Sequence, residues 1–175
     1  KSKKINIDVL INNAGISLPS NSSEYPLEYF EKTYQVNFRA PFILSTRLSI
    51  LMKKSKLPSI INITSLGAHR GFPNNVAYTS CKGALRQMTK SLAYDLSKYN
   101  IRVNSVCPGY IKTKMTLSSQ KDSIKSKQRV NNTLLKRWGE SKDLVGAIIY
   151  LSSDASSYVT GSEIVIDGGW LSKGL

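Results

Sequence analysis

Apolar residues along this chain alternate between short continuous runs and the three-to-four-residue spacing of a helix. Four runs have strand length: Asp8 to Asn12, Ser59 to Thr64, Arg102 to Cys107 and Glu163 to Ile166. The first three are almost continuously apolar, as strands covered on both faces are, so the pattern predicts βαβ units and a parallel sheet. Between the first two runs Pro26 opens a helical pattern in which Leu27, Phe30, Tyr34, Phe38, Phe42 and Leu48 recur at helical spacing through Lys54. Between the second and third, Ala77 to Lys98 repeats apolar groups at Leu85, Met88, Leu92 and Leu96. Both helices are long enough to serve as right-handed crossovers. A shorter helix, Lys142 to Leu151, leads into the last strand. The stretch Tyr110 to Leu135 is polar, rich in Lys and Ser and longer than an ordinary connection, and it reads as a mobile lid. The expectation is one α/β domain over residues 1–175, built on a doubly wound parallel sheet.

Composition narrows the class of protein without changing this picture. Lys and Arg number 25 against 11 Asp and Glu, a net charge of +14, while the hydrophobic and charged fractions are those of a globular domain. Disorder is therefore not expected. No apolar run is long enough to cross a bilayer, and Lys1 to Gly15 lacks the apolar core and cleavage site of a signal peptide, so a cytoplasmic location is expected. Two cysteines and a single histidine argue against a disulfide framework and a His-rich metal site. The basic excess raises nucleic acid, anionic membranes and acidic substrates as partners. Half of it falls in residues 110–142, with nine basic residues against two acidic. That placement fits attraction of an anionic small-molecule substrate to the lid. Nucleic acid is the weaker alternative, because aromatic interleaving and a recognition motif are both missing.

The chemistry gathers at the carboxyl ends of the strands. Asn12-Asn13-Ala14-Gly15, Thr64-Ser65 and Pro108-Gly109 each follow a predicted strand, and in open α/β sheets ligands bind in the crevice beyond those ends. Tyr78 and Lys82 stand at i and i+4 near the start of the second long helix, hence on one face. A tyrosine that exchanges protons near neutral pH needs a cation to favour its phenolate, which Lys82 can supply. Ser65 can hydrogen-bond the same substrate oxygen. Together the three suit carbonyl–alcohol chemistry. The same Tyr-x-x-x-Lys spacing recurs at Tyr94/Lys98 and Tyr110/Lys114, but only Tyr78/Lys82 has a strand-end serine in the right setting. His69 and Arg70, in the loop after Ser65, are lesser candidates for substrate contact. Cys81, Trp138 and Trp170 read as packing residues.

The string Asn12 to Gly15, Asn37, Ser65, Tyr78-x-x-x-Lys82, Pro108-Gly109 and Asp167-Gly168-Gly169 together resemble the short-chain dehydrogenase/reductase family, in family order and over nearly the whole chain. The resemblance implies a Rossmann-type fold and a homo-oligomer, dimer or tetramer. It implies Tyr78 as general acid or base, Lys82 as ligand of the nicotinamide ribose, Ser65 as polariser of the carbonyl and Asn37 as holder of a relay water. It also implies cofactor contacts at Asn13, Ala14, Gly15, Ile111 and Thr113, with NAD or NADP supplying the hydride chemistry. No G-x-x-x-G-x-G string occurs, so the Gly-rich pyrophosphate turn and the residue that distinguishes NAD from NADP are expected upstream, in about the first third of a family domain of roughly 250 residues. The four strands then correspond to the fourth to seventh of a seven-stranded sheet. The Gly71 to Asn75 loop and the Arg137-Trp138-Gly139 to Trp170 tail look closest to carbohydrate- and polyol-type members, gluconate 5-dehydrogenase-like enzymes among them. A 3-oxoacyl-acyl-carrier-protein reductase is the alternative, and an inactive fragment or interaction module the alternative from another class.

Overall fold

The computed structural model describes residues 6–173. Its four strands, β1 (Val9–Asn12), β2 (Ser59–Ile63), β3 (Arg102–Pro108) and β4 (Glu163–Ile166), form one parallel sheet in the order β1-β2-β3-β4. Each lies within one residue of its expected bounds, since an apolar run closed by turn-formers leaves little freedom of placement. The register sets Leu10, Ile60 and Val103 abreast on one face. There Met52 and the face of α3 (Val76–Leu96) that carries Leu85, Met88, Leu92 and Leu96 bury them. The opposite face, with Ile61 and Val106, is covered by Ala147, Ile148 and Leu151 of α6 (Lys142–Ser152). Both α3 and α6 connect neighbouring strands in the same direction across the sheet, yet they lie on opposite faces. The two crossovers therefore have opposite hands, and with β2-α3-β3 as the usual right-handed unit, β3-α6-β4 is the left-handed exception.

The pattern beginning at Pro26 is not one uniform helix. It divides into α1 (Leu27–Tyr34), a π-helical turn at Gln35–Arg39 and α2 (Ala40–Met52). The cause is Pro41, which has no N–H for the carbonyl four residues back, that of Asn37, and whose ring crowds that carbonyl. The side of α2 that faces the protein is also not the apolar one. Pro41, Ser45, Ser49 and Met52 are buried, while Phe42, Ile43, Leu44, Ile50 and Leu51 are exposed. Asn12 at the end of β1 selects the serine face, because its Nδ2 donates to Ser45 Oγ at 3.0 Å. Of the expected helical stripe, Leu27, Phe30 and Phe42 thus point outward.

The stretch 110–135 is mostly helical, with a 3-10 turn at Lys114–Thr116, α4 (Leu117–Lys121) and α5 (Ser123–Asn131). Capping supplies what apolar periodicity does not. Thr113 and Thr116 form a reciprocal capping box, and Asp122 Oδ1 accepts from Lys125 N at 3.0 Å. No described helix is long and apolar enough to cross a membrane.

Candidate active site

The carboxyl ends of β1 and β2 and the first turns of α3 meet in one place. β2 runs into Thr64 and Ser65, and Ser65 caps a 3-10 turn (Leu66–Ala68) by accepting from Gly67 N at 3.1 Å. A Cβ on Gly67 would stand 3.5 Å from the Tyr78 ring, so this turn packs directly on the tyrosine. Tyr78 is half-buried, and desolvation pushes its pKa above the ordinary 10, partly offset by the hydroxyl of Ser65, which favours the phenolate. Tyr78 is accordingly a neutral phenol at pH 7, able to donate its proton. Four residues on, Lys82 is 3% exposed, its Nζ donating to the Ile63 carbonyl at 2.6 Å and lying 5.8 Å from the Tyr78 ring centroid. Burial lowers its pKa from 10.5 to about 8, against the opposing pull of the Cys81 and Cys107 thiols. Among the described residues the Ile63 carbonyl is its hydrogen-bond partner, so a cation with three donors keeps two N–H groups for a ligand's oxygens.

Asn37 and Gly15 close the other side. Asn37 is wholly buried in the π-helical turn, its Oδ1 accepting from Ile16 N at 2.8 Å and its Nδ2 donating to Ile16 O at 2.7 Å. The amide therefore grips the backbone just after Gly15. A Cβ at Gly15 would lie 3.4 Å from Asn37 Oδ1 and 3.7 Å from Lys82 Nζ, which puts Gly15, Asn37 and Lys82 around one point. Asn13 and Ala14 are exposed beside it. Asn12 instead spans the sheet, donating to Ser45 and, at 2.8 Å, to Asn62 Oδ1.

Ile111 and Thr113 stand at the start of segment 110–135. Ile111 is 7% exposed and bridges to Gly139, while its carbonyl accepts from Thr116 Oγ1 at 2.7 Å. No hydrogen bond among the described residues joins either to Ser65, Tyr78 or Lys82. Gly109, at the end of β3, allows the Asp167 backbone to approach closely, since a Cβ there would stand 2.5 Å from Asp167 Cα. Asp167 Oδ1 accepts from Gly169 N and its Oδ2 from Leu171 N, both at 2.8 Å, and the Gly168 carbonyl holds Leu134 and Leu135. The Asp-Gly-Gly string thus anchors the C-terminal end of segment 110–135. An aromatic cluster fixes its body. Tyr110 packs against Phe72, Trp138 and Trp170, the Arg129 guanidinium of α5 lies 4.6 Å over the Tyr110 ring, and Trp138 Nε1 donates to Ser126 Oγ at 2.9 Å. Trp138 and Trp170 pack, as expected, and Cys81 is a buried thiol.

His69 is not turned toward the crevice: its Nε2 lies 2.7 Å from Glu163 Oε2, where Arg86 Nε also arrives at 3.0 Å. Sequence reading missed this group, although Glu163 was visible as a charge opening an otherwise apolar strand and Arg86 stands one helical turn beyond Lys82.

The chain matches the family profile described as Enoyl-(Acyl carrier protein) reductase over residues 1–171. It is 36% identical over 165 residues to the 5-keto-D-gluconate 5-reductase of Escherichia coli (strain K12), covering 94% of this chain and 65% of that protein. It thus spans just under two thirds of this relative's length. Among solved structures, a gluconate 5-dehydrogenase from Burkholderia cenocepacia J2315 in complex with NADP and tartrate superposes with a TM-score of 0.94 at 31% identity, covering 97% of this chain and 66% of that one. A 4-hydroxyisoleucine dehydrogenase complexed with NADH superposes with a TM-score of 0.93 at 38% identity, covering 98% and 71%. With the profile matched nearly end to end, and with the parallel sheet and strand-end crevice already described, this chain belongs to the short-chain dehydrogenase/reductase family.

Proposed function

We propose that this chain carries the catalytic centre of an NAD(P)-dependent oxidoreductase that interconverts a secondary alcohol and a ketone on a sugar-acid or polyol-like substrate. The observation that carries the reading is the convergence of Ser65, Tyr78 and Lys82 at the carboxyl ends of parallel strands, with Asn37 fixing the backbone beside them. In ketone reduction the Ser65 and Tyr78 hydroxyls bind the substrate oxygen, and Tyr78, held neutral by burial, gives it a proton. In alcohol oxidation the same tyrosine takes the proton back. Lys82, with two N–H groups free of the Ile63 carbonyl, binds ribose hydroxyls and supports the phenolate electrostatically. Asn13, Ala14, Gly15, Ile111 and Thr113 complete the cofactor-facing surface, the last two by way of the lid root. NAD or NADP supplies or accepts the hydride.

The substrate class rests on the relatives' printed activities and on the basic lid. In that lid and just after it, Lys125, Arg137 and Lys142 are paired with Asp122, Asp143 and Glu140. Lys114, Lys121 and Lys127 have no salt bridge among the described residues, which leaves positive charge for an anionic substrate. Segment 110–135 is the proposed lid of a single domain over residues 1–175. The exposed apolar face of α2 and that of α6 support a homo-oligomer. Because nicotinamide dinucleotides are intracellular, the proposed location is the cytoplasm.

The test is turnover of keto-gluconates, polyols and an acetoacetyl thioester with NADH and NADPH, followed by nicotinamide absorbance. Oxidation or reduction of a sugar acid, lost in Tyr78→Phe, supports the reading. Full activity in Tyr78→Phe overturns the chemistry, and preference for the thioester moves the substrate to an acyl carrier.

A further inference from the structure

We propose that Glu163 is a positioning residue for Ser65, its carboxylate clamping both ends of the turn that carries this hydroxyl. The proposal rests on the reading that Ser65 works beside Tyr78 on the substrate oxygen. Glu163 opens β4, and its side chain is 12% exposed. Oε1 accepts from Thr64 Oγ1 at 2.7 Å and from Ser105 Oγ at 3.3 Å, and Oε2 meets His69 Nε2 at 2.7 Å and Arg86 Nε at 3.0 Å. Thr64 is the residue before Ser65, and His69 ends the 3-10 turn after it. Within the turn only short-range bonds set the curvature: Gly67 N to Ser65 Oγ, Ala68 N to Ser65 O, and His69 N to Leu66 O. The Thr64 end also hangs on the sheet through its own N–H and Oγ1, 2.8 and 3.1 Å from the Val106 carbonyl, whereas the carboxylate is what ties the His69 end. Arg86 extends the same node to the catalytic helix, because Tyr78, Lys82 and Arg86 follow at four-residue spacing on one face of α3. One side chain therefore links the segment holding Ser65 to the helix holding Tyr78 and Lys82.

The node is an ion-pair network and not a cation site. Although His69, Cys107 and Glu163 bring ligand atoms within 4.8 Å of one another, the Arg86 guanidinium already neutralises the carboxylate. Burial pushes the Cys107 thiol up to about 12, where it is no thiolate at neutral pH.

The test compares the full chain with Glu163→Ala, Glu163→Gln and His69→Ala by amide hydrogen exchange and steady-state kinetics. In Glu163→Ala, exchange at Gly67, Ala68 and His69 should rise at least about tenfold while amides of β2 and β3 keep their protection. The kcat should fall about 10- to 100-fold, with KM for the dinucleotide within about twofold, because a misplaced hydroxyl harms the transition state and not the ribose site. Gln, which keeps the acceptor for Thr64, should recover part of both effects. His69→Ala releases one end of the clamp at a partly exposed side chain and carries the same test should Glu163→Ala fail to fold. Unchanged exchange across the turn in Glu163→Ala and His69→Ala, or a fall in kcat without it, overturns the clamp. If the parent chain turns over no ketone, the proposed activity of this chain fails, and the exchange data alone decide whether Glu163 holds the turn.

Discussion

Lys82 is where chemistry and stability pull against each other. Its ammonium is 3% exposed and carries one carbonyl partner among the described residues, so folding strips it of water without full compensation. That is why its pKa falls from 10.5 to about 8. Between those two values the unfolded chain binds more protons than the folded one, so stability rises with pH across that window. Below pH 8 both forms are charged, and the full cost of burial remains. Lys82→Met is therefore expected to be at least as stable as the parent at pH 7, by up to about 2 kcal/mol after allowing for the orphaned Ile63 carbonyl. It should also lose the stability gain between pH 8 and 10.5 and at least about 100-fold in turnover. Urea titrations at pH 7 and pH 10 measure the first two effects. A variant less stable than the parent by 2 kcal/mol at pH 7 would show that the ammonium is well solvated in place.

At the scale of elements, the turn around Asn37 shows how a local fault in a helix builds a site. Pro41 cannot donate to the Asn37 carbonyl, the helix widens over Gln35–Arg39, and the asparagine side chain turns to grip both polar groups of Ile16. Asn37→Ala takes both partners from these half-buried groups and should cost about 1 to 3 kcal/mol, read as a lower denaturant midpoint with unchanged slope. Asn37→Asp, which keeps the acceptor, should recover part of the loss. The strands and α3 were legible in the sequence because continuous apolar runs and a regular repeat report burial directly. The helix from Pro26 was legible as a helix but not in its facing, since the sheet end presents Asn12 and Asn62 and prefers Ser45 to a phenylalanine. The helices of segment 110–135 were hidden because capping at Thr113 and Asp122, and not periodicity, starts them. Ser65, Tyr78 and Lys82 were singled out as candidates by their spacing and setting, and the fold brings them to one place. Glu163 was not, because its partners at positions 64, 69, 86 and 105 are scattered through the sequence and meet only in three dimensions.

At the scale of the whole molecule, two exposed apolar helix faces lie on opposite sides of the sheet. One is the outer side of α2, where Phe42, Leu44, Ile50 and Leu51 are 40% exposed or more, joined by Tyr94 of α3 at 84%. The other is the outer side of α6, where Val145 and Ile149 are 50% and 61% exposed. A soluble monomer rarely leaves such stripes to water, and two separate self-complementary patches generate a closed tetramer with two kinds of two-fold interface. Sedimentation of the chain should therefore report a dimer or tetramer at micromolar concentration. Ile50→Lys and Ile149→Lys place a charge on side chains 63% and 61% exposed, so neither should lower monomer stability by more than about 0.5 kcal/mol. If both patches are used, each substitution alone stops assembly at a dimer and the pair gives a monomer. If only one is used, one substitution changes nothing while the other yields the monomer directly. A parent chain that sediments as a monomer at every concentration would refute the tetramer and leave both stripes without a self-partner.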